Sequence, residues 1–182
     1  MTMNMQPELN GPTLFLRPLC ASDRDAVTRA ASDPLIWALH PAQNRHIAAI
    51  FHAYFDKRLE SGETLVIIDR ARDQIIGWSS YGEYKPAARE VEVGWTFLTR
   101  AYWGGETNRE LKQLMLTHAF QSVDTVVFRI AATNLRSRAA IEKIGGVLTD
   151  RPAEILIDGV VIPHLVYAIE KADFAASPSA RT

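Results

Sequence analysis

Large apolar residues alternate with small, polar or charged ones along the segment 91–97. The apolar set is Val91, Val93, Trp95 and Phe97, and the other set is Glu92, Gly94 and Thr96. A period of two residues is typical of a strand with one buried face. After a short loop the apolar period lengthens to three or four residues, at Leu111, Leu114, Met115, His118 and Ala119. This pattern predicts an amphipathic helix, and the capping-box spacing of Thr107 and Glu110 predicts that it begins at Thr107.

The loop between this strand and this helix predicts an anion site. Gly104 and Gly105 follow the strand, and the first amides of the helix have no acceptor within the helix. The helix dipole adds about half a positive charge at the same place. A diphosphate bound there would contact the backbone between Trp103 and Asn108. The alternative is an ordinary strand–loop–helix connection, which is common and also fits the pattern.

The remaining segments predict a chain that mixes strands and helices. Strands are predicted at 13–17, 64–69, 74–81, 124–133, 147–157 and 160–170, with a turn at Asp158–Gly159 and a loop over 82–89. Helices are predicted over 22–33, where Ser22 and Asp25 suggest a cap and Pro34 a stop, over 43–61 before Gly62, and over 134–144. A full helix between the strands at 91–97 and 124–133 predicts a parallel pair.

These elements predict one α/β (α+β) domain with a mixed sheet and helices on both faces. Its bounds are residues 13–171, with a flexible lead-in over 1–12 and a flexible tail over 172–182. A chain of 182 residues with 47% hydrophobic and 23% charged residues suits one domain with a sizeable core.

Charge and cysteine content narrow the functional classes. The net charge is −1 and no run of one sign occurs, which disfavours nucleic acid or an anionic membrane as a partner. Cys20 is the only cysteine, so no internal disulfide forms and a reducing compartment is expected. No apolar run approaches the roughly 20 residues of a membrane span. We therefore expect a cytoplasmic protein.

Five short motifs occur in a shared order and resemble those of a known family. They are E-V-G-W (Glu92–Trp95), W-G-G-x-x-N-R-E (Trp103–Glu110), N-x-x-S (Asn134–Ser137), E-K-I-G (Glu142–Gly145) and a closing A-E-x-L-x-D-G. Together they resemble the GCN5-related N-acetyltransferases, and within them the branch that includes the ribosomal-protein N-terminal acetyltransferases. The resemblance runs from about Thr13 to Lys171. It implies a sheet splayed at its centre to admit acetyl-coenzyme A (acetyl-CoA), and direct transfer of the acetyl group to an amine in a ternary complex.

The resemblance also implies which residues bind the coenzyme. Backbone amides of the loop would bind the diphosphate, from Trp103, Gly104, Gly105, Glu106, Thr107 and Asn108. Phe97, Leu98 and Thr99 would pair with the pantetheine arm as an added strand does. Asn134 would touch the arm, with helix capping as its alternative or additional role. No metal is expected, since the spacing of six residues between His40, His46 and His52 scatters them around a helix.

Three residues are candidates for catalysis by the same resemblance. Ser137 matches a serine beside the coenzyme's sulfur, and its alternative is a serine bonded to its own helix backbone. Glu154 matches the base of the ribosomal branch, and Glu92, on the strand predicted over 91–97, is its rival. The alternative for both glutamates is a solvated strand residue. A working base needs its pKa raised by burial towards the working pH.

Two departures from the family pattern leave an alternative function open. In the usual loop, Q/R-x-x-G-x-G/A, the second small position is occupied here by Glu106, so its carboxylate must point to solvent or the loop must shift to Gly105. Ile141 stands where many relatives have a tyrosine acid. The alternative is a non-catalytic acyl-CoA-binding module. The acceptor of an active enzyme would be a protein N-terminus or a small-molecule amine, and a homodimer is compatible with the fold without support from any residue pattern.

Overall fold

Eight strands form one mixed sheet in the computed structural model, which describes residues 2–157 and 159–176. The strands are β1 (Leu9–Asn10), β2 (Leu14–Pro18), β3 (Thr64–Asp69), β4 (Gln74–Lys85), β5 (Glu90–Leu98), β6 (Thr125–Ala131), β7 (Val147–Ile157) and β8 (Val160–Glu170). Their spatial order is β1-β2-β3-β4-β5-β6-β8-β7. Only the β5–β6 pair is parallel within this sheet, and every other neighbouring pair is antiparallel. The predicted mixed sheet and parallel pair are confirmed.

Helices cover both faces of the sheet, as predicted. They are α1 (Arg24–Ala31), α2 (Pro34–Trp37), α3 (Ala48–Ser61), α4 (Thr107–Ala119), α5 (Leu135–Glu142) and α6 (Lys171–Ala176). On one face, Leu111 and Met115 of α4 and Ile141 of α5 are buried in the same apolar cluster as Val91 and Val93. On the other face, α1, α2 and α3 pack against Trp78 and Phe97 of the sheet, and Phe51 and Phe55 of α3 complete this aromatic cluster. The sheet therefore has two cores, and α4 covers the parallel pair that it connects.

The observed bounds match several predictions and correct others. β3, β7 and β8 have the predicted ends, and Gly62 ends α3 in the left-handed region with φ +63°. The segment predicted as a loop over 82–89 is wrong at its start, since β4 continues to Lys85. The cap predicted at Ser22 is also wrong. The Cys20 amide donates to Asp23 over 2.9 Å instead, and Pro34 begins α2 rather than only ending α1.

The two ends of the described chain pack on the domain. Met3, in the segment predicted as a flexible lead-in, is buried, and β1 pairs with β2. At the other end Phe174 of α6 lies 5.1 Å from Phe120 between ring centroids. Residues 177–182 of the predicted tail, and Asp158 of the predicted turn, lie outside the described residues.

The central strands separate after a short paired stretch, and this separation defines the site. β5 and β6 pair only at Glu90–Thr125, Val91–Val126 and Glu92–Val127. Beyond Glu92, β5 stays paired with β4 as far as Leu98, and β6 stays paired with β8 as far as Ala131. A gap therefore opens between β5 and β6, and the predicted central splay is confirmed.

A β-bulge lies on β5 at the start of the gap. Ser80 pairs with Gly94 and Trp78 with Phe97, so Ser79 alone faces both Trp95 and Thr96. Trp95 has φ +51°, a left-handed conformation that is unusual for a bulky residue. The extra residue reverses the phase of the strand, so Phe97 belongs to the core opposite that of Val93. The predicted single apolar face is therefore wrong beyond Gly94.

Candidate active site

Glu92 is buried where the gap between β5 and β6 begins. It is the last β5 residue paired with β6, and only 3% of its surface is exposed. Arg129 of β6 donates from Nη1 to its Oε2 over 2.6 Å. Burial raises the pKa of the Glu92 carboxyl to about 7; Arg129 acts against this rise and Glu83 adds to it. Glu92 therefore changes protonation state near neutral pH.

The bulge beside Glu92 is stabilised by packing on the α3 side of the sheet. The Trp95 ring lies over Gly82, where an added Cβ would be 2.7 Å from the ring. The Arg58 guanidinium of α3 stacks on that ring at 4.6 Å from its centroid. Arg58 Nη2 has no hydrogen-bond partner among the described residues and lies 3.7 Å from Glu63 Oε2. A cationic side chain, Arg58, and an anionic one, Glu63, therefore lie beside the end of the gap at which Glu92 is buried.

Glu154 has a different environment from Glu92. It is exposed on β7, opposite Pro163 of β8, and forms no ion pair among the described residues. An exposed carboxylate keeps its water shell, whereas a buried one loses it. Of the two predicted bases, the structure gives only Glu92 a buried position at the gap.

Unpaired backbone amides converge at the other end of β5. The Trp103 amide donates to the Arg100 carbonyl over 3.0 Å, so the unpaired run begins one residue later than predicted. The amides of Gly104, Gly105, Glu106, Thr107 and Asn108 have no acceptor among the described residues. Gly104 has φ +74°, and no atom lies within 4 Å of an added Cβ at either glycine. The loop therefore has five donors without an acceptor at a helix N-terminus, and open space around the Cβ positions of its two glycines.

The carboxylates of Glu106 and of Glu110 in α4 accept no hydrogen bond from the unpaired loop amides. The Glu106 side chain is 82% exposed and lies 3.5 Å from Arg109, so its carboxylate points to solvent. Glu110 does not form the predicted capping box, although α4 does begin at Thr107. Its Oε1 accepts hydrogen bonds from the Thr13 and Leu14 amides, each over 2.9 Å, and so fastens α4 to β2. Neither carboxylate therefore occupies the anion site.

The backbone at the end of β5 is paired along one edge with β4. Phe97 and Leu98 pair with Trp78 and Gly77 of β4, and their side chains are buried on opposite faces. The Thr99 amide donates to the Ile76 carbonyl over 2.8 Å. A ligand in the gap would therefore meet these predicted residues only through backbone groups that face away from β4.

Asn134 and Ser137 form the start of α5 beside the gap. Asn134 is buried, and its Oδ1 accepts from the Ser137 amide over 3.2 Å, so the capping role is present. The Ser137 hydroxyl has no hydrogen-bond partner among the described residues and is half-buried. Ile141, one turn further along, packs in the core. The free hydroxyl of Ser137 is thus available to a ligand.

Arg136 connects the elements around the open end of the gap. Its guanidinium lies 4.0 Å above the Trp103 ring centroid, and its Nη2 donates to the Ile36 carbonyl over 2.7 Å. The Trp103 indole in turn donates to the Leu98 carbonyl over 2.9 Å. Arg136 was not predicted as a site residue, because its position beside Ser137 gives no sign of contacts a hundred residues away.

Arg129 and Lys112 are two further site residues that the sequence pattern did not predict. Arg129 is 37 residues from Glu92. Lys112 is buried between Thr96 of β5 and Phe128 of β6, although a lysine on an amphipathic helix is ordinarily solvated. The available signal is its spacing, three and four residues before Met115 and Leu116. Within the described chain, no group of three or more His, Cys, Asp or Glu side chains is placed to hold a metal ion, and no helix is long and apolar enough to cross a membrane.

Comparison with known proteins assigns the family. Residues 13–147 match the family model described as the acetyltransferase (GNAT) domain. The chain therefore belongs to the GNAT acetyltransferase family, as its motifs predict, and it is an acyltransferase by family.

Solved structures share the fold at low sequence identity. A GCN5-related N-acetyltransferase from Brucella melitensis has a TM-score of 0.84 at 18% identity, over 94% of this chain and 81% of that chain. Mycobacterium smegmatis RimJ in complex with CoA-disulfide has a TM-score of 0.69 at 18% identity, over 97% and 91%. The spermidine N-acetyltransferase from Vibrio cholerae, in complex with CoA and spermine, has a TM-score of 0.68 at 17% identity, over 90% and 99%. These likenesses establish the fold.

Proposed function

We propose that this protein is an acetyl-CoA-dependent N-acetyltransferase that acts on a primary amine by direct attack in a ternary complex. The observation that carries the proposal is the gap between β5 and β6, which has a titratable buried carboxyl, Glu92, at one end and five unpaired amides at the other. A long donor molecule with a diphosphate at one end and a reactive group at the other suits this arrangement.

The coenzyme fits the residues present. The amides of Gly104–Asn108 would bind the diphosphate, and the gap-facing backbone of β5 would pair with the pantetheine arm. Because the Glu106 carboxylate points to solvent, it does not oppose a bound anion at close range. When bound, acetyl-CoA supplies a thioester, whose carbonyl carbon is the electrophile.

The proposed chemistry has two proton transfers, one from the attacking amine and one to the departing thiolate. Glu92 accepts a proton from the attacking amine, since its pKa of about 7 matches a neutral working pH. The amine nitrogen forms the new bond to the carbonyl carbon, and the bond from carbon to sulfur breaks. Ser137 donates its hydroxyl proton to the departing thiolate and regains one from water. Ile141, at the position of a tyrosine in many relatives, cannot take that part.

The acceptor is proposed only as a primary amine. A protein N-terminus and a small-molecule amine both remain compatible with the polar surroundings of Glu92. The Vibrio cholerae relative is a spermidine N-acetyltransferase, which makes polyamines reasonable members of a first panel. The single cysteine, Cys20, is consistent with action in the reducing cytoplasm.

A thiol-release assay tests the proposal. Purified protein is mixed with acetyl-CoA and a panel of polyamines, amino acids, amino sugars and short peptides with free N-termini. Release of free thiol that depends on both the protein and an amine, with the acetylated amine detected by mass spectrometry, is the expected result. Binding of acetyl-CoA without turnover on any amine would favour the non-catalytic acyl-CoA-binding module. Absence of binding at millimolar concentration would refute both functions.

A further inference from the structure

Lys112 of α4 is a buried cation without a counter-ion. Only 3% of its surface is exposed, and no carboxylate of the described chain forms an ion pair with it. Its Nζ donates to Thr96 Oγ1 over 2.8 Å. An ammonium group has three donors, and a buried donor without an acceptor is costly. The other donors of Lys112 therefore need a partner that the described residues do not supply.

The position of Lys112 identifies where that partner would lie. Thr96 is on β5 past the bulge, and Phe128 is on β6 one residue past the last β5–β6 pair. Lys112 Nζ bonds the first and lies 5.8 Å from the ring centroid of the second. The amine therefore reaches into the gap from the α4 side, where the strands have stopped pairing with each other.

The neighbours of Lys112 hold its amine in place and carry no charge. Thr96 Oγ1 lies 2.7 Å from Ser79 Oγ and 3.3 Å from the Gly94 carbonyl. The side chains that face the amine, Thr96 from β5 and Phe128 from β6, do not titrate near neutral pH, and neither does Ser79 of β4 behind them. Burial alone lowers the pKa of the Lys112 ammonium to about 7.

We propose that Lys112 is a side-chain ligand for the acyl-carrying arm, and that its ammonium donates a hydrogen bond to an amide carbonyl of that arm in the gap between β5 and β6. The inference rests on the proposed function, which places the arm there. An amide directs its C=O and N–H to opposite sides. An arm that pairs along β5 therefore also presents polar groups away from β5, and Lys112 is placed to meet one of them.

A hydrogen bond from Lys112 to the arm changes the protonation of its amine, whereas a packing role would not. A hydrogen bond from the charged form stabilises that form, so occupation of the gap raises the pKa of Lys112 and draws in a proton. At pH 8 the free protein holds Lys112 mostly neutral, so uptake approaches one proton per arm bound. Glu92, on the other face of the sheet, also titrates near pH 7. Its contribution must be removed in the test.

Calorimetry on the full chain with Glu92→Gln supplies the test. Binding is measured at pH 8 in two buffers with different ionisation enthalpies, and the difference gives the number of protons taken up. Acetyl-CoA carries the arm and has no free thiol, while adenosine 3′,5′-bisphosphate lacks the arm and serves as the matched ligand. We expect proton uptake on binding of acetyl-CoA and none on binding of the bisphosphate. Adding Lys112→Met should abolish this proton uptake and weaken acetyl-CoA binding about tenfold, which is the order expected for one hydrogen bond. It should leave the affinity for the bisphosphate unchanged.

The outcomes separate this inference from the proposed function. Equal proton uptake with both ligands, or unchanged acetyl-CoA affinity in Lys112→Met, would overturn the role of Lys112 while leaving the proposed function in place. If the native chain binds neither ligand at millimolar concentration, the proposed function fails. If Lys112→Met does not fold, the comparison of the two ligands on the Glu92→Gln chain still decides the question.

Discussion

Arg129 donates a hydrogen bond of 2.6 Å to Glu92, yet the pKa of that carboxyl stands at about 7, well above its ordinary value. An exposed ion pair of this length would lower a carboxyl pKa. Here the loss of water around a side chain that is 3% exposed outweighs the attraction of the guanidinium. The Glu92 carboxyl therefore gains and loses its proton close to neutral pH, which is where a base for an ammonium substrate is most useful.

Glu92→Gln should lower kcat by about a hundredfold or more, because the amide keeps the shape of the side chain but cannot accept the proton. Glu154→Gln is the matched control, since it makes the same change on an exposed strand residue, and it should change kcat by less than tenfold. Steady-state kinetics on one acceptor measure both. A larger loss in Glu154→Gln would assign the base to β7, and a loss under tenfold in both would remove both glutamates from the mechanism.

The activity of the native protein should rise with pH through about 7. Below this pH Glu92 is protonated and cannot act as a base. Because Arg129 lowers the Glu92 pKa, Arg129→Met should move the midpoint of the kcat/KM profile, which reports the free enzyme, to higher pH, while Arg129→Lys, which keeps the charge, should move it less. Profiles from pH 5.5 to 9 with one acceptor give the midpoints. A midpoint that does not move in Arg129→Met would mean that another group controls the profile.

Local patterns predicted the strands and helices well, and long-range pairing explains what they missed. The apolar run of β3 and the turn signal at Asp158–Gly159 between β7 and β8 predicted the observed bounds, because both are local signals in the sequence. The bulge at Trp95 was not predictable in this way. Its φ of +51° is stabilised by contacts with Gly82 and with Arg58, which are distant in sequence. The bulge reverses the face of the sheet to which the following β5 side chains point, and the sequence has no turn residue there to signal it.

The candidate site shows the same division. The glycine loop and the helix N-terminus at Thr107 are consecutive in sequence and were predictable from spacing. The choice between Glu92 and Glu154 was not, because it depends on burial by other strands. Lys112 was missed for a related reason, since a lysine beside an apolar stripe is usually exposed, and only the separation of β5 from β6 gives its amine an interior position.

Lys112 should make the stability of the native protein depend on pH above neutrality. Its folded-state pKa of about 7 lies below the ordinary 10.5, so the unfolded chain holds more protons between these values. The free energy of unfolding therefore gains from this residue as pH rises, at up to about 1.4 kcal/mol per pH unit. Urea denaturation should show that the free energy of unfolding of the native protein rises relative to that of Lys112→Met from pH 7 to pH 9. A constant difference would mean that the buried amine has an ordinary pKa.

Gly104 should be required for the anion loop, and its neighbour Gly105 should not. With φ +74°, Gly104 is in the left-handed region, where a Cβ costs about 1–2 kcal/mol, although no atom lies within 4 Å of the added carbon. Gly105 has the same open surroundings without the left-handed φ. Gly104→Ala should therefore weaken binding of adenosine 3′,5′-bisphosphate about tenfold, since the loop must change its backbone to relieve the strain, whereas Gly105→Ala should bind nearly as the native protein does. Calorimetry with this ligand, whose 5′-phosphate takes the place of the diphosphate, tests the loop without the pantetheine arm. Equal affinities in the two variants would show that the phosphates do not contact the loop through its backbone.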